Sequence, residues 1–233
     1  MDLRLSSVRK TLYPLKLAAI NTVKLFTEKK LVERAANPYT THLPVLIFLG
    51  RLLPIKRVLE LGCGEFSTPT FLDKQIFPDL VALSSFETDA EWRNKILTSP
   101  IGTDERLSLS LVPGEMNSIV SEIDIDSYDL VFIDDSLTAD SRSMTIVAAA
   151  LKKPQRAVFV IHDFEVSAYK KAADQFKQRF AITAFNPNTG VVWNDANLNR
   201  DCLQQANGLF SRHASLAAPE DINYWLDTLN KEI

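Results

Sequence analysis

Residues 56–72 read KRVLELGCGEFSTPTFL. A short apolar run carries one acid, Glu60, and stops at two glycines, Gly62 and Gly64, in a chain that has only seven. A Ser-Thr-Pro step then leads into a second apolar run. The pattern is that of a buried strand, a tight turn and a helix, with Pro69 tolerated in the helix's first turn. Glycine permits a tight turn and lets a ligand approach the backbone, and the helix N-terminus beyond offers free N–H groups. G-x-G by itself also fits a plain turn. Two acids narrow the reading: Glu60 lies two residues before Gly62, and Glu87 ends the next apolar run, where an acid suits ribose hydroxyls.

Outward from this stretch the same alternation repeats. LVALSSFE, RLSLSLV, YDLVFIDD and RAVFVIHD read as strands. TPTFLDKQ, DAEWRNKIL (capped by Asp89), EMNSIVSEI, SRSMTIVAAALKK and VSAYKKAADQFKQRF read as the helices between them. AITAFN and GVVWND form a final pair of strands around the turn NPNTG. Before the first strand, NPYTTHLPVLIFLGRLLP predicts an apolar helix capped at Thr40 or Thr41 and closed near Pro54. Residues 7–35 predict another helix, and the tail from about 197 predicts two more. Strand–helix alternation implies a mostly parallel sheet covered on both faces, here closed by an antiparallel hairpin. Glu60, Glu87, Asp134-Asp135 and His162-Asp163 end four of its strands, at the edge where open α/β sheets bind ligands.

Composition sets the outer limits. The 233 residues are 46% hydrophobic and 24% charged with net charge -3, as in a globular protein without a bulk field for nucleic acid. Cys63 and Cys202 lack metal-ligand spacing, and one lies in the glycine turn, so a reducing, cytoplasmic setting is expected. No apolar run is long enough to span a bilayer. Lys16 and Lys24 interrupt the N-terminal apolar pattern, against a signal peptide. That segment reads as a helix packed on the domain, or else lying on a membrane or partner.

These residues resemble the class I S-adenosylmethionine-dependent methyltransferases. The family's acid-x-Gly-x-Gly motif stands as Glu60-Leu61-Gly62-Cys63-Gly64, followed by a Ser-Thr step. SFETDAEW resembles the second motif, YDLVFIDDS the fourth, and VFVIHD the fifth-strand ending of many small-molecule methyltransferases. The likeness covers roughly residues 40–195. It implies a Rossmann-like seven-stranded fold, with an N-terminal helical extension (1–39) and a C-terminal helical appendage (196–233) on the same domain. Glu60 would meet the methionine amino group directly or through water, and Gly62, Cys63 and Gly64 would line methionine and ribose. Glu87 would take the ribose hydroxyls, Thr88 would flank the adenine, Glu115 would lie at its edge and Asp134 near the methyl donor. Ser67, at the start of the helix, joins this cofactor set; it stands where a dinucleotide fingerprint has its third glycine, which argues against NAD. KPQRA replaces the family's Pro-Gly-Gly before the fifth strand.

An alcohol or amine acceptor needs a base. His162 is the first candidate because its ordinary pKa is near neutrality, with Asp163 and Asp135 beside it; a structural histidine is the competing reading. Asp134, Asp135 and Asp163 are oxygen donors of the kind Mg²⁺ prefers, although simpler uses for the acids are favoured over a metal. His42 is expected on a helix surface rather than at the pocket mouth, and Met116 and Met144 in the core. The function expected is methyl transfer to oxygen or nitrogen of a small molecule. A methyltransferase-fold protein with another reaction, such as hydroxylation, and a non-catalytic nucleoside-binding or interaction protein are the alternatives. A homodimer through the terminal helices is compatible with the sequence.

Overall fold

The computed structural model describes residues 37–136 and 138–232. The helix expected over residues 7–35 lies outside them. Within the described chain, seven strands form one sheet: β1 (Arg57–Leu61), β2 (Ala82–Glu87), β3 (Leu107–Leu111), β4 (Leu130–Ile133), β5 (Val158–Ile161), β6 (Gln178–Ile182) and β7 (Thr189–Trp193). Their order is β3-β2-β1-β4-β5-β7-β6. β1 pairs parallel with β2 and β4, and β4 with β5, while β7 runs antiparallel between β5 and β6. The order reverses at β1 and β4, so the crevice between their carboxyl ends is the switch point.

Among the described residues eight α-helices flank the sheet: α1 (Leu43–Leu52), α2 (Ser67–Leu72), α3 (Ala90–Thr98), α4 (Met116–Glu122), α5 (Ala139–Leu151), α6 (Ser167–Ala173), α7 (Arg200–His213) and α8 (Ile222–Glu232). Alternation along the strands sorts side chains to two faces. Val58, Leu130, Phe132, Val158 and Val160 enter one apolar cluster with residues of α1, α2, α7 and α8. Leu59, Leu61, Val131, Ile133, Phe159 and Ile161 enter the other, with residues of α4, α5 and α6. α1 is apolar nearly all round, and its residues 43–50 are all buried, as a helix between a sheet and further helices must be. Leu203, Phe210, Trp225 and Leu229 share the cluster of α1. The C-terminal helices are thus part of the same core.

Three local expectations change. Asn37 caps a short 3-10 turn over Pro38–Thr40, and His42 precedes α1 without a side-chain cap bond, so neither Thr40 nor Thr41 caps that helix. α6 stops at Ala173 and β6 begins at Gln178; Gln178, Arg179 and Phe180, the end of the expected helix, pair with β7 instead, and tertiary pairing overrides local propensity. Met144 is exposed at 46%, whereas Met116 is in the core.

Candidate functional site

The glycine turn is set first by its own neighbours. Gly62 has φ +91, and a Cβ there would lie 2.3 Å from the Asp134 carbonyl oxygen. β4 comes so close because Asp134 N–H donates to the Leu61 carbonyl at 2.9 Å. A Cβ on Gly64 would lie 2.8 Å from Ser67 Oγ. Before any ligand is considered, a side chain is excluded at 62 by the adjoining strand end, and one at 64 would have to displace the Ser67 hydroxyl.

Glu60 has no exposed surface. Its carboxyl accepts from Ser67 Oγ at 2.7 Å, Ser85 Oγ at 2.6 Å and Thr68 Oγ1 at 2.9 Å. Thr68 Oγ1 in turn accepts from Gly64 N–H at 3.0 Å. Burial pushes the Glu60 carboxyl up to about 7, against the lowering effect of the three hydroxyls. Direct contact between Glu60 and a methionine amino group therefore does not fit: the acid ties β1, β2 and the start of α2 together beneath the turn. Ser67, itself buried, is part of that tie.

Glu87 faces the turn from β2. One oxygen accepts from Cys63 N–H at 3.2 Å and is 3.5 Å from the thiol, and the other accepts from Thr88 N–H at 2.7 Å and Asp89 N–H at 2.9 Å. Cys63 is buried, and burial, with Glu60 and Glu87 nearby, pushes its thiol well above the ordinary range, so it is no nucleophile. Asp89 caps α3, accepting from Glu91 N–H and Trp92 N–H. This cap aims Trp92 back at the turn, where its indole N–H donates to the Cys63 carbonyl at 2.7 Å. Lys95 lies 4.3 Å from the Trp92 ring centroid and 2.8 Å from Glu65. Thr88 is exposed, and Glu115, also exposed, precedes α4 beyond the end of β3.

At β4 and β5 the pleat separates adjacent residues. Asp134 continues the face of Leu130 and Phe132, and His162 that of Val158 and Val160, so the two meet. His162 Nδ1 is 3.2 Å from Asp134 Oδ2 and 3.7 Å from Asp163 Oδ1, and Nε2 is 3.1 Å from Thr41 Oγ1. His162 is 3% exposed and both ring nitrogens have partners. Burial works to lower its pKa, but the Asp134 hydrogen bond and the two carboxylates outweigh it and hold the imidazole above its ordinary value. Asp134 is held below the usual carboxylate range: burial works upward, and His162 and Arg142 outweigh it.

Asp135 points the other way, under α5. It accepts from Thr145 Oγ1 at 2.6 Å, its other oxygen has no hydrogen-bond partner among the described residues, and burial pushes its pKa up. The expectation that Asp135 stands beside His162 at the acceptor does not fit this placement, because neighbouring strand residues face opposite sides.

Arg142 is the group that sequence reasoning missed. Only 2% of its side chain is exposed, yet it lies 2.7 Å from Asp134, 2.9 Å from Asp163 and 4.0 Å from Asp135. It also donates to the Ser136 carbonyl at 2.5 Å and stacks 5.3 Å from the Tyr169 ring centroid. The guanidinium takes the position between the three acids that a hard cation would need, so they do not form the Mg²⁺ site considered from sequence. Asp163, at φ +56, is held in its left-handed turn by this contact; aspartate tolerates that region better than most residues. Nothing in SRSMT marked an inward-facing arginine, although its place in the helix after the two acids was visible.

His42 is buried at 2%, not on a helix surface. Its ring centroid is 4.8 Å from those of both Phe132 and His162. Among the described residues neither ring nitrogen has a hydrogen-bond partner. Burial, followed by the His162 charge, pulls its pKa down to about 3, so it is a neutral imidazole.

No protein-family model matches the chain, and no curated protein is similar to it. Solved structures are similar in fold. The SAH-bound Podospora anserina methyltransferase PaMTH1 is 15% identical with TM-score 0.52, over 76% of this chain and 96% of that one. Cofactor-bound Rv0187 from MTB is 18% identical with TM-score 0.49, over 66% of this chain and 80% of that one. PigF with SAH is 16% identical with TM-score 0.44, and the chain spans 64% of its length while 72% of this chain is covered. The strand order and the likeness to PaMTH1 establish the class I methyltransferase fold. Among the described residues no helix is long and apolar enough to cross a membrane.

Proposed function

On this methyltransferase fold, we propose that the chain transfers a methyl group from S-adenosylmethionine to oxygen or nitrogen of a small molecule. The observation that carries the reading is the Cys63–Glu87 contact at the switch point. It sets a glycine turn, a strand-end carboxylate and the Trp92 ring around one crevice. Gly62, Cys63 and Gly64 line the methionine and ribose. Glu87 meets the ribose hydroxyls by exchanging them for part of its contacts to Cys63, Thr88 and Asp89, Thr88 and Glu115 flank the adenine, and Glu60 and Ser67 hold the turn from beneath. A sulfonium methyl is already activated, so alignment of the two reactants is the main requirement.

Asp134 and Asp163 expose 28% and 32% of their side chains and face the acceptor. His162 lies behind Asp134 and moves a proton only through it. Asp135 and Arg142 fix the geometry: a buried guanidinium keeps the carboxylates oriented while part of each stays open. The free Cys63 and Cys202 suit a reducing cytoplasmic setting. Methyl-labelled S-adenosylmethionine offered with a panel of small alcohols, phenols and amines tests the reading. Label recovered in an acceptor supports it. Binding of the cofactor without label transfer across the panel favours the non-catalytic alternative, and an acceptor converted without label favours another reaction.

A further inference from the structure

We propose that His42, Asp134 and His162 form a binding site for one divalent transition metal of the zinc type, with an open coordination position on the Asp134 side. The ligand atoms of these three residues all lie within 4.8 Å of one another. The set is nitrogen, nitrogen, oxygen, which suits zinc, cobalt or ferrous iron and not magnesium. The site shares Asp134 and His162 with the methyl-transfer reading and adds His42, which no step above requires.

Three observations point to an ion. First, His42 is buried beside Phe132, and among the described residues both its ring nitrogens are without a hydrogen-bond partner. The ring packs on Phe132 and His162, but a phenylalanine or leucine would fill that space without stranding two polar atoms; a metal gives one nitrogen a partner. Second, the other two ligands are already held from behind. His162 Nε2 meets Thr41 Oγ1 at 3.1 Å, which leaves Nδ1 to face Asp134. Asp134 Oδ1 is held by Arg142 at 2.7 Å, which leaves Oδ2 facing His162. Such outer contacts orient metal ligands in general. Third, the spacing is close to what coordination needs. Bonds of about 2.0–2.1 Å in a tetrahedron put ligand atoms roughly 3.3 Å apart. The His162–Asp134 edge is 3.2 Å, and the His42 edges close by a shift of its ring of up to about 1.5 Å. Arg142 opposes the ion, but Asp134 and Asp163 on either side of it supply the balancing charge.

The test is a titration of the full chain, stripped with chelator, by Co²⁺ followed in visible absorption and then by competing Zn²⁺. Expected are one ion per chain, the intense absorption of a low-coordinate cobalt site, and no competition by Mg²⁺. His42→Phe and Asp134→Asn should each weaken binding by at least about 10-fold while circular dichroism stays that of the parent. His213→Ala removes the surface histidine beside Glu232 and should change nothing. Absence of saturable binding overturns the proposal, as does unchanged affinity in either site variant or loss of binding in His213→Ala. If His42→Phe does not fold, the partly exposed Asp134→Asn decides the matter in the same way.

Discussion

Glu60→Gln should remove a pH dependence of stability that can be sized from the structure. The carboxyl is fully buried beneath the glycine turn, and burial moves its pKa from 4.5 to about 7 in the fold. At about 1.4 kcal/mol for each unit, the difference corresponds to about 3 kcal/mol. The sign follows from the direction. A raised carboxyl pKa means that folding favours the protonated form, so the contribution is fully present below the unfolded value. It is lost as pH rises through the folded one. Glutamine has nearly the same shape, does not titrate, and can keep hydrogen bonds to hydroxyls that are free to turn. His162, Asp134 and Asp135 titrate in both proteins, so subtracting the variant isolates Glu60. Urea unfolding of both proteins at a series of pH values gives the assay. The parent should lose about 3 kcal/mol relative to Glu60→Gln between about pH 4.5 and 7, and the difference should then stay level. A pH-independent difference would refute the claim that Glu60 is a desolvated structural acid.

Gly62→Ala combines a left-handed backbone with a Cβ against the Asp134 carbonyl; it should cost at least about 2 kcal/mol, measured by thermal or urea unfolding. Arg142→Met leaves Asp134 and Asp163 without their buried partner and should destabilise by about 3–5 kcal/mol in unfolding measurements near neutral pH.

Much of the sheet was legible because its strands are short apolar runs ended by polar residues; each strand read from RVLEL to GVVWND has a counterpart, although the one read over AITAFN lies at Gln178–Ile182. What failed were the places where distant chain decides. Gln178, Arg179 and Phe180 end a stretch with a helical pattern but pair with β7. Asp134 and Asp135 look equivalent in FIDDS, yet the pleat sends one to His162 and the other under α5; strand periodicity held that information. Gly62 was legible as a turn residue, but its nearest constraint, the Asp134 carbonyl, belongs to a strand 72 residues later. Arg142 and His42 were not legible as inward-facing groups, because an arginine in a polar helix start and a histidine before an apolar helix are common on surfaces. Only the packing of α5 and α1 against the strand ends turns them inward.

Cofactor binding at the glycine turn is the property on which the proposed activity depends most directly. Calorimetric titration with S-adenosylhomocysteine should give one molecule per chain, with affinity weakened by about 1–3 kcal/mol in Glu87→Ala, the scale of a hydrogen bond to a charged group, and with no heat from NAD. Absence of binding in the folded parent, or equal affinity in a folded Glu87→Ala variant, would contradict it.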